Sequence, residues 1–202
     1  MGKGNKKKIK IMVGSTVYGF EDQLSAIVAL LKSMNYKVLN SHAGTIKVDS
    51  NLSNLENCLN AVNECDLFLG IIRPNYGSGN IGDKNITFEE IRRAIELKKP
   101  YWFLVHHDVD VIRRFLKKIM PKDTTKELTD VVDIKIDRNL DYRCIEVYDF
   151  VLQSAKPIES RIGNWVQEFY KPEEIMTFIH TQFSDKEFIE EILKMKETDN
   201  GK

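Results

Sequence analysis

Cysteine is scarce and unpatterned in this chain. Its three thiols, Cys58, Cys65 and Cys144, are odd in number and lack a C-x-x-C spacing, so neither a disulfide framework nor a zinc site is indicated. They read as ordinary thiols in a reducing compartment, and the chain is expected to be cytoplasmic. A surplus of either charge is also missing: Lys plus Arg and Asp plus Glu each total 30, for a net charge of zero. Without a basic excess, general binding to a phosphate backbone loses its first requirement, and no specific nucleic acid is expected as a partner. No apolar run approaches the roughly 18 residues of a spanning helix, and no signal peptide precedes Ile9, so no membrane partner is expected. A Pro/Gly/Ser-rich linker and an internal repeat are likewise lacking, and nothing marks off a second independent domain.

What is present fits a globular chain with a real core: 202 residues, 42% hydrophobic and 30% charged. Charge is unevenly spread at the start, where Lys3, Lys6, Lys7, Lys8 and Lys10 crowd together. Residues 1–8 read as a basic flexible tail. Met1-Gly2 does not make a myristoylation signal, because Lys6 stands where Ser or Thr is required.

Four short apolar runs have strand character: Ile9–Val13, Tyr36–Leu39, Leu67–Ile72 and Tyr101–Val105. The last two are almost continuously apolar, as strands covered on both faces must be. Between them lie stripes of helical period, formed by Leu24, Ile27, Val28, Leu30 and Leu31, by Leu52, Leu55, Leu59 and Val62, and by Ile91, Ala94, Ile95 and Leu97. Strand and helix in alternation predict βαβ units and a parallel sheet. The expected architecture is a flavodoxin-like three-layer α/β fold with strand order 2-1-3-4-5, and residues 132–136 are the candidate fifth strand. Residues 9–138 form the expected α/β domain. Residues 139–196, with a helix from Cys144 to Leu152 and a helix start at Pro172, read as a helical extension packed on the same domain. Residues 197–202 are an expected disordered tail.

In an open parallel sheet, ligands gather outside the carboxyl ends of the strands, near the switch in strand order. Four loops qualify. Gly14, Ser15, Thr16, Val17, Tyr18 and Gly19 combine small residues and hydroxyls just before a helix, suited to a phosphate or ribose and equally to a plain loop-to-helix turn. The second, Arg73 to Asn80, brings a cation, the aromatic Tyr76 and the glycine Gly77. The third runs through Asn85 into Ile86-Thr87-Phe88-Glu89-Glu90-Ile91, where Thr87 and Glu90 have capping-box spacing. A carboxylate placed there is expected to stay ionised and to point into the crevice, where it can attack or stabilise an oxocarbenium-like centre. The fourth is His106-His107-Asp108, a poor metal pair because adjacent strand residues face opposite ways; His106 is the member expected to line the crevice. His42 is a weak candidate of the same kind. Asp66 lies at the wrong end of a strand. No metal and no cofactor are expected. A flavin, stacked on Tyr76 or Trp102, fits less well because the first loop lacks a run of hydroxyls.

From Ile9 to about His107 the chain resembles a TIR-like family of unknown function, often fused to signalling NTPases. The resemblance rests on Gly14-Ser15-Thr16-Val17-Tyr18, Cys58 to Asp66, Tyr76-Gly77-Ser78, and Ile86 to Ile91 with Ala94 and Lys99-Pro100. The segment around Thr87 is also similar to nucleoside deoxyribosyltransferases, in which T-x-x-E followed by an alanine carries the catalytic glutamate. TIR-domain NAD-cleaving enzymes place a glutamate on the corresponding helix. The resemblance thus implies Glu90 as the catalytic residue and an N-glycosidic bond as the target. Asn85-Ile86 and Arg92 depart from the transferase pattern, which has glycines there. Three functions follow as alternatives: an N-glycosidase or transferase acting on a nucleotide or NAD, with Ser15, Tyr18, Arg73 and Tyr76 holding the ligand; a non-catalytic signalling module that self-associates through its helices; and a nucleotide sensor.

Overall fold

A computed structural model describes residues 8–77, 80–81, 84–119, 141, 143–163 and 165–199. In chain order these form β1 (Lys10–Ser15), α1 (Glu21–Ser33), β2 (Lys37–Leu39), α2 (Asn54–Glu64), β3 (Leu67–Ile72), α3 (Ile86–Glu96), β4 (Tyr101–His106), α4 (His107–Ile119), α5 (Arg143–Val151), β5 (Val166–Phe169), α6 (Pro172–Phe183) and α7 (Lys186–Asp199). The five strands make one parallel sheet in the order β2-β1-β3-β4-β5. A small antiparallel hairpin, pairing Asn80 with Asn85 and Ile81 with Lys84, precedes α3.

The near-continuous apolar runs follow from burial on both faces. Successive side chains alternate. Ile11, Val13, Leu67, Leu69, Ile71 and Leu104 face one layer, built by Leu24, Ile27 and Leu31 of α1 with Ile175, Ile179 and Phe183 of α6 and Ile189 of α7. Met12, Phe68, Ile72, Phe103 and Val105 face the other, built by Ala61, Val62, Ile91, Ala94, Val109 and Tyr148. Each of the aliphatic side chains so enclosed stabilises the fold by about 1.5–3 kcal/mol relative to exposure. The chain is therefore an α/β three-layer fold with strand order 2-1-3-4-5.

The fifth strand departs from the sequence reading. Residues 132–136 lie outside the described residues, and the segment that pairs with β4 is Val166–Phe169, with Phe103 opposite Val166 and His106 opposite Phe169. Its two central residues are Gln167 and Glu168, so neither an apolar run nor a helical stripe announces it. As the last strand of the sheet it needs only Phe169 fully buried. The segment read as purely helical thus also supplies a sheet edge.

Because all five strands run the same way, their carboxyl ends share one rim. Asp66 lies at the opposite rim, where its Oδ2 accepts from the Lys10 backbone N–H at 2.7 Å. Among the described residues, no helix is long and apolar enough to cross a membrane.

Candidate functional site

The strand order reverses between β1 and β3, where Gly14 and Gly70 stand opposite each other. Above this switch point, the loops after β1, β2 and β3 and the first turns of α2 and α3 enclose a cleft of about 430 Å³. Its lining includes Ser15, Thr16, Tyr18, Asn57, Cys58, Tyr76, Gly77, Asn85, Thr87 and Glu90. A cleft at this position is where the topology places ligands.

Glu90 reaches the cleft from the core-facing stripe of α3. It lies one turn before Ala94 and beside Ile91, both buried, and it is itself only 3% exposed. Its carboxylate passes over Gly14 so closely that a Cβ there would stand 2.9 Å from Oε2. A glycine in β1 is what lets a glutamate rest against the end of the strand. Burial pushes the Glu90 carboxyl up to about 7, against the opposing pull of a hydrogen bond from the Cys58 thiol. The thiol, buried and beside that carboxylate, is itself pushed up to about 12 and stays protonated. Packing of α2 on α3 brings the two together. The expectation of a carboxylate held ionised by the helix dipole is corrected here. Glu90 is the fifth residue of α3, a turn inside it, where burial raises its pKa.

The capping box expected from Thr87 and Glu90 is also corrected. The helix begins two residues earlier, and Asn85 is its cap: Oδ1 accepts from the Phe88 N–H at 2.6 Å, and the Nδ2 amide donates to the Tyr76 carbonyl. Asn85 therefore both starts α3 and ties the β3–α3 loop to it. Asn85→Ala is expected to cost about 1–2 kcal/mol and to lower Tm by roughly 2–8 °C, measured by calorimetric unfolding. Thr87, at the second helical position, lines the cleft instead.

The remaining candidates divide. Ser15, Thr16, Tyr18, Tyr76 and Gly77 line the cleft with Glu90. Tyr18 stands at its mouth, 65% exposed. Tyr76 is only 4% exposed, with the Arg143 guanidinium 4.3 Å over its ring. Gly77, with φ of 89°, packs so that its Cβ position is 3.1 Å from the Thr16 methyl. Arg73 is not in the cleft. Its guanidinium donates to the carbonyls of Thr16, Tyr18 and Gly19 and lies 4.5 Å over the Phe20 ring, so it braces the β1–α1 loop from behind. His106 is not in the cleft either. It packs edge-on against Phe169 and beside Tyr170, and burial holds its pKa below the usual histidine range.

In the β2–α2 loop the sequence points only to His42, which is exposed and does not line the cleft, and misses Ser41, Gly44, Ile46 and Val48, which form part of the cleft wall. Two buried asparagines shape it. Asn40 donates from Nδ2 to the Val13 carbonyl at 2.9 Å and accepts from the Ala43 N–H. Asn57 donates to the carbonyls of Asp49, Leu52 and Ser53. The available signal was the loop's position after a strand of the sheet. Among the described residues, no group of three or more His, Cys, Asp or Glu side chains is arranged to hold a metal.

Comparison with solved structures finds a 2-desoxiribosyltransferase from Leishmania mexicana, at 15% identity and a TM-score of 0.39, covering 71% of this chain and 97% of that one. No curated protein matches. The family model for a domain of unknown function, DUF4062, matches residues 10–183. That span takes in the sheet from β1 through β5 and most of the helices around it, and the chain belongs to the DUF4062 family.

Proposed function

We propose that the cleft binds a nucleotide, NAD or a related nucleoside and that Glu90 acts on its N-glycosidic bond. The observation that carries this reading is the placement of Glu90: a buried carboxyl, raised to about 7, facing a cleft at the switch point of a parallel sheet. The motif resemblance around Thr87 and Glu90, to deoxyribosyltransferases and to NAD-cleaving TIR domains, supports the same chemistry.

In its ionised form, Glu90 bonds through a carboxylate oxygen to the anomeric carbon as the C1′–N bond breaks. The electron pair leaves with the base. Water then displaces the carboxylate in a hydrolase, or a second base does so in a transferase. Proton occupancy sets the pH response. Ionisation through about 7 makes activity rise with pH on a limb centred near that value. Cys58, protonated throughout, donates to the carboxylate and favours the ionised form.

The test is incubation of the pure protein with NAD and a panel of nucleosides and nucleotides, with products separated by chromatography. Free base released by the unaltered protein, and at least 10³-fold less by Glu90→Gln, is the expected result. Binding without release of base, in either protein, overturns the enzymatic reading and leaves a nucleotide sensor. A self-associating signalling module is the second reading. It draws on the exposed apolar side chains Ile158, Ile162, Trp165 and Tyr170 flanking β5. Sedimentation of the unaltered protein and of Glu90→Gln separates assembly from catalysis.

A further inference from the structure

Thr16 is 9% exposed, and its Oγ1 is a buried side-chain oxygen with no hydrogen-bond partner among the described residues. Such a group costs stability and calls for an explanation. Its polar neighbours are already committed. The Ser15 hydroxyl donates to the Thr16 carbonyl at 3.0 Å. Asn57 is bonded to the loop of residues 49–53, and Asn85 to Phe88 and Tyr76.

The position of Thr16 is as specific as its lack of a partner. It follows the last residue of β1, two residues beyond Gly14, and lines the same cleft as Glu90. The Thr16 methyl packs on Gly77, at 3.1 Å from that residue's Cβ position, and a β-branched side chain so held has little freedom at χ1.

We propose that the Thr16 hydroxyl recognises a hydroxyl of the sugar whose anomeric carbon faces Glu90, and that it sets which sugar the cleft accepts. The inference rests on the functional reading above. A threonine hydroxyl both donates and accepts, as a sugar hydroxyl does. Bonding to the ligand supplies the partner that the described residues do not.

Two substitutions test it. Thr16→Val keeps the shape and removes only the hydroxyl, while Thr16→Ser keeps the hydroxyl. In thermal unfolding of the ligand-free protein, Thr16→Val is expected to raise Tm by roughly 2–4 °C, because an unsatisfied buried group is gone. A lower Tm for Thr16→Val, with Thr16→Ser unchanged, means the hydroxyl is bonded within the protein and overturns the proposal. Binding is then measured by calorimetry in a Glu90→Gln background, with adenosine and its 2′-, 3′- and 5′-deoxy analogues as probes. Thr16→Val is expected to weaken adenosine binding roughly 5–10-fold and to leave unchanged the affinity for the one analogue lacking the recognised hydroxyl. Equal weakening for all four probes overturns sugar recognition alone. Absence of binding by the unaltered protein to NAD, nucleotides and nucleosides alike overturns the functional reading together with this one.

Discussion

Glu90→Gln is expected to unfold at a higher temperature than the unaltered protein at pH 8, and at nearly the same temperature at pH 5. The Glu90 carboxyl is raised from an ordinary 4.5 to about 7 by burial, so the folded protein holds a proton over a range in which the unfolded chain releases it. Stability from that proton is fully present below about 4.5 and is lost as pH rises through about 7. At 1.36 kcal/mol per pH unit, the loss across this window is about 3 kcal/mol. A glutamine of the same shape carries no charge at any pH and escapes the loss. For a chain of this size the difference corresponds to a Tm gap of roughly 5–10 °C at pH 8 that closes on acidification. A gap that does not change with pH would show that Glu90 is not buried as described. A Glu90 that served only as a helix cap would give the opposite sign, since its loss would destabilise the fold. Under the proposed function the same window governs catalysis, because the ionised form that would attack the sugar is the form the fold tolerates least. A residue that destabilises its own protein at working pH is expected where chemistry requires it.

Most of the sheet is legible in the sequence, and most of the site's second layer is not. β1, β3 and β4 show as apolar runs because they are covered on both faces, and the alternation of runs and helical stripes predicts the parallel sheet. The order 2-1-3-4-5 comes with the choice of a flavodoxin-like fold, not with the alternation. β5 fails the same test for a physical reason: an edge strand with Gln167 and Glu168 at its centre has no apolar period to read. At α3, Thr87 and Glu90 imitate a capping box by spacing alone, while the operative cap, Asn85, stands directly before the apolar stripe. Asparagine in that position is a start signal the sequence does carry. The sequence puts Arg73 beside the ligand, because a cation with an aromatic and glycines in one loop suits a nucleotide. Only the folded chain shows that the carbonyls of Thr16, Tyr18 and Gly19 claim its donors. Pairing of Cys58 with Glu90 is beyond sequence reading altogether, since it depends on how α2 packs against α3.

Gly14→Ala is expected to fold, to melt several degrees lower, and to lose about 100-fold in turnover. A Cβ at this position stands 2.9 Å from Glu90 Oε2 and 2.9 Å from Phe68 Cζ. Phe68 has no room to withdraw, being fully buried with its ring packed edge-on to Phe103 at 6.5 Å between centroids. Overpacking of this kind costs about 1–3 kcal/mol. The carboxylate is the more movable of the two obstacles, so it is the one displaced, toward the cleft. A shift of about 1 Å in a reacting group costs on the order of 100-fold in rate. Displacement also brings the carboxyl nearer to water and relieves the desolvation that raises it, so the ascending limb of the pH–rate profile should move below pH 7. Lower stability alone does not produce that movement, because a partly unfolded population lowers turnover at every pH without changing the midpoint. The pH–rate profile of Gly14→Ala therefore reads where the carboxylate lies. A profile still centred near 7, with turnover at the native level, would mean that Glu90 does not rest on Gly14 during catalysis, and the site would have to be rebuilt without that contact.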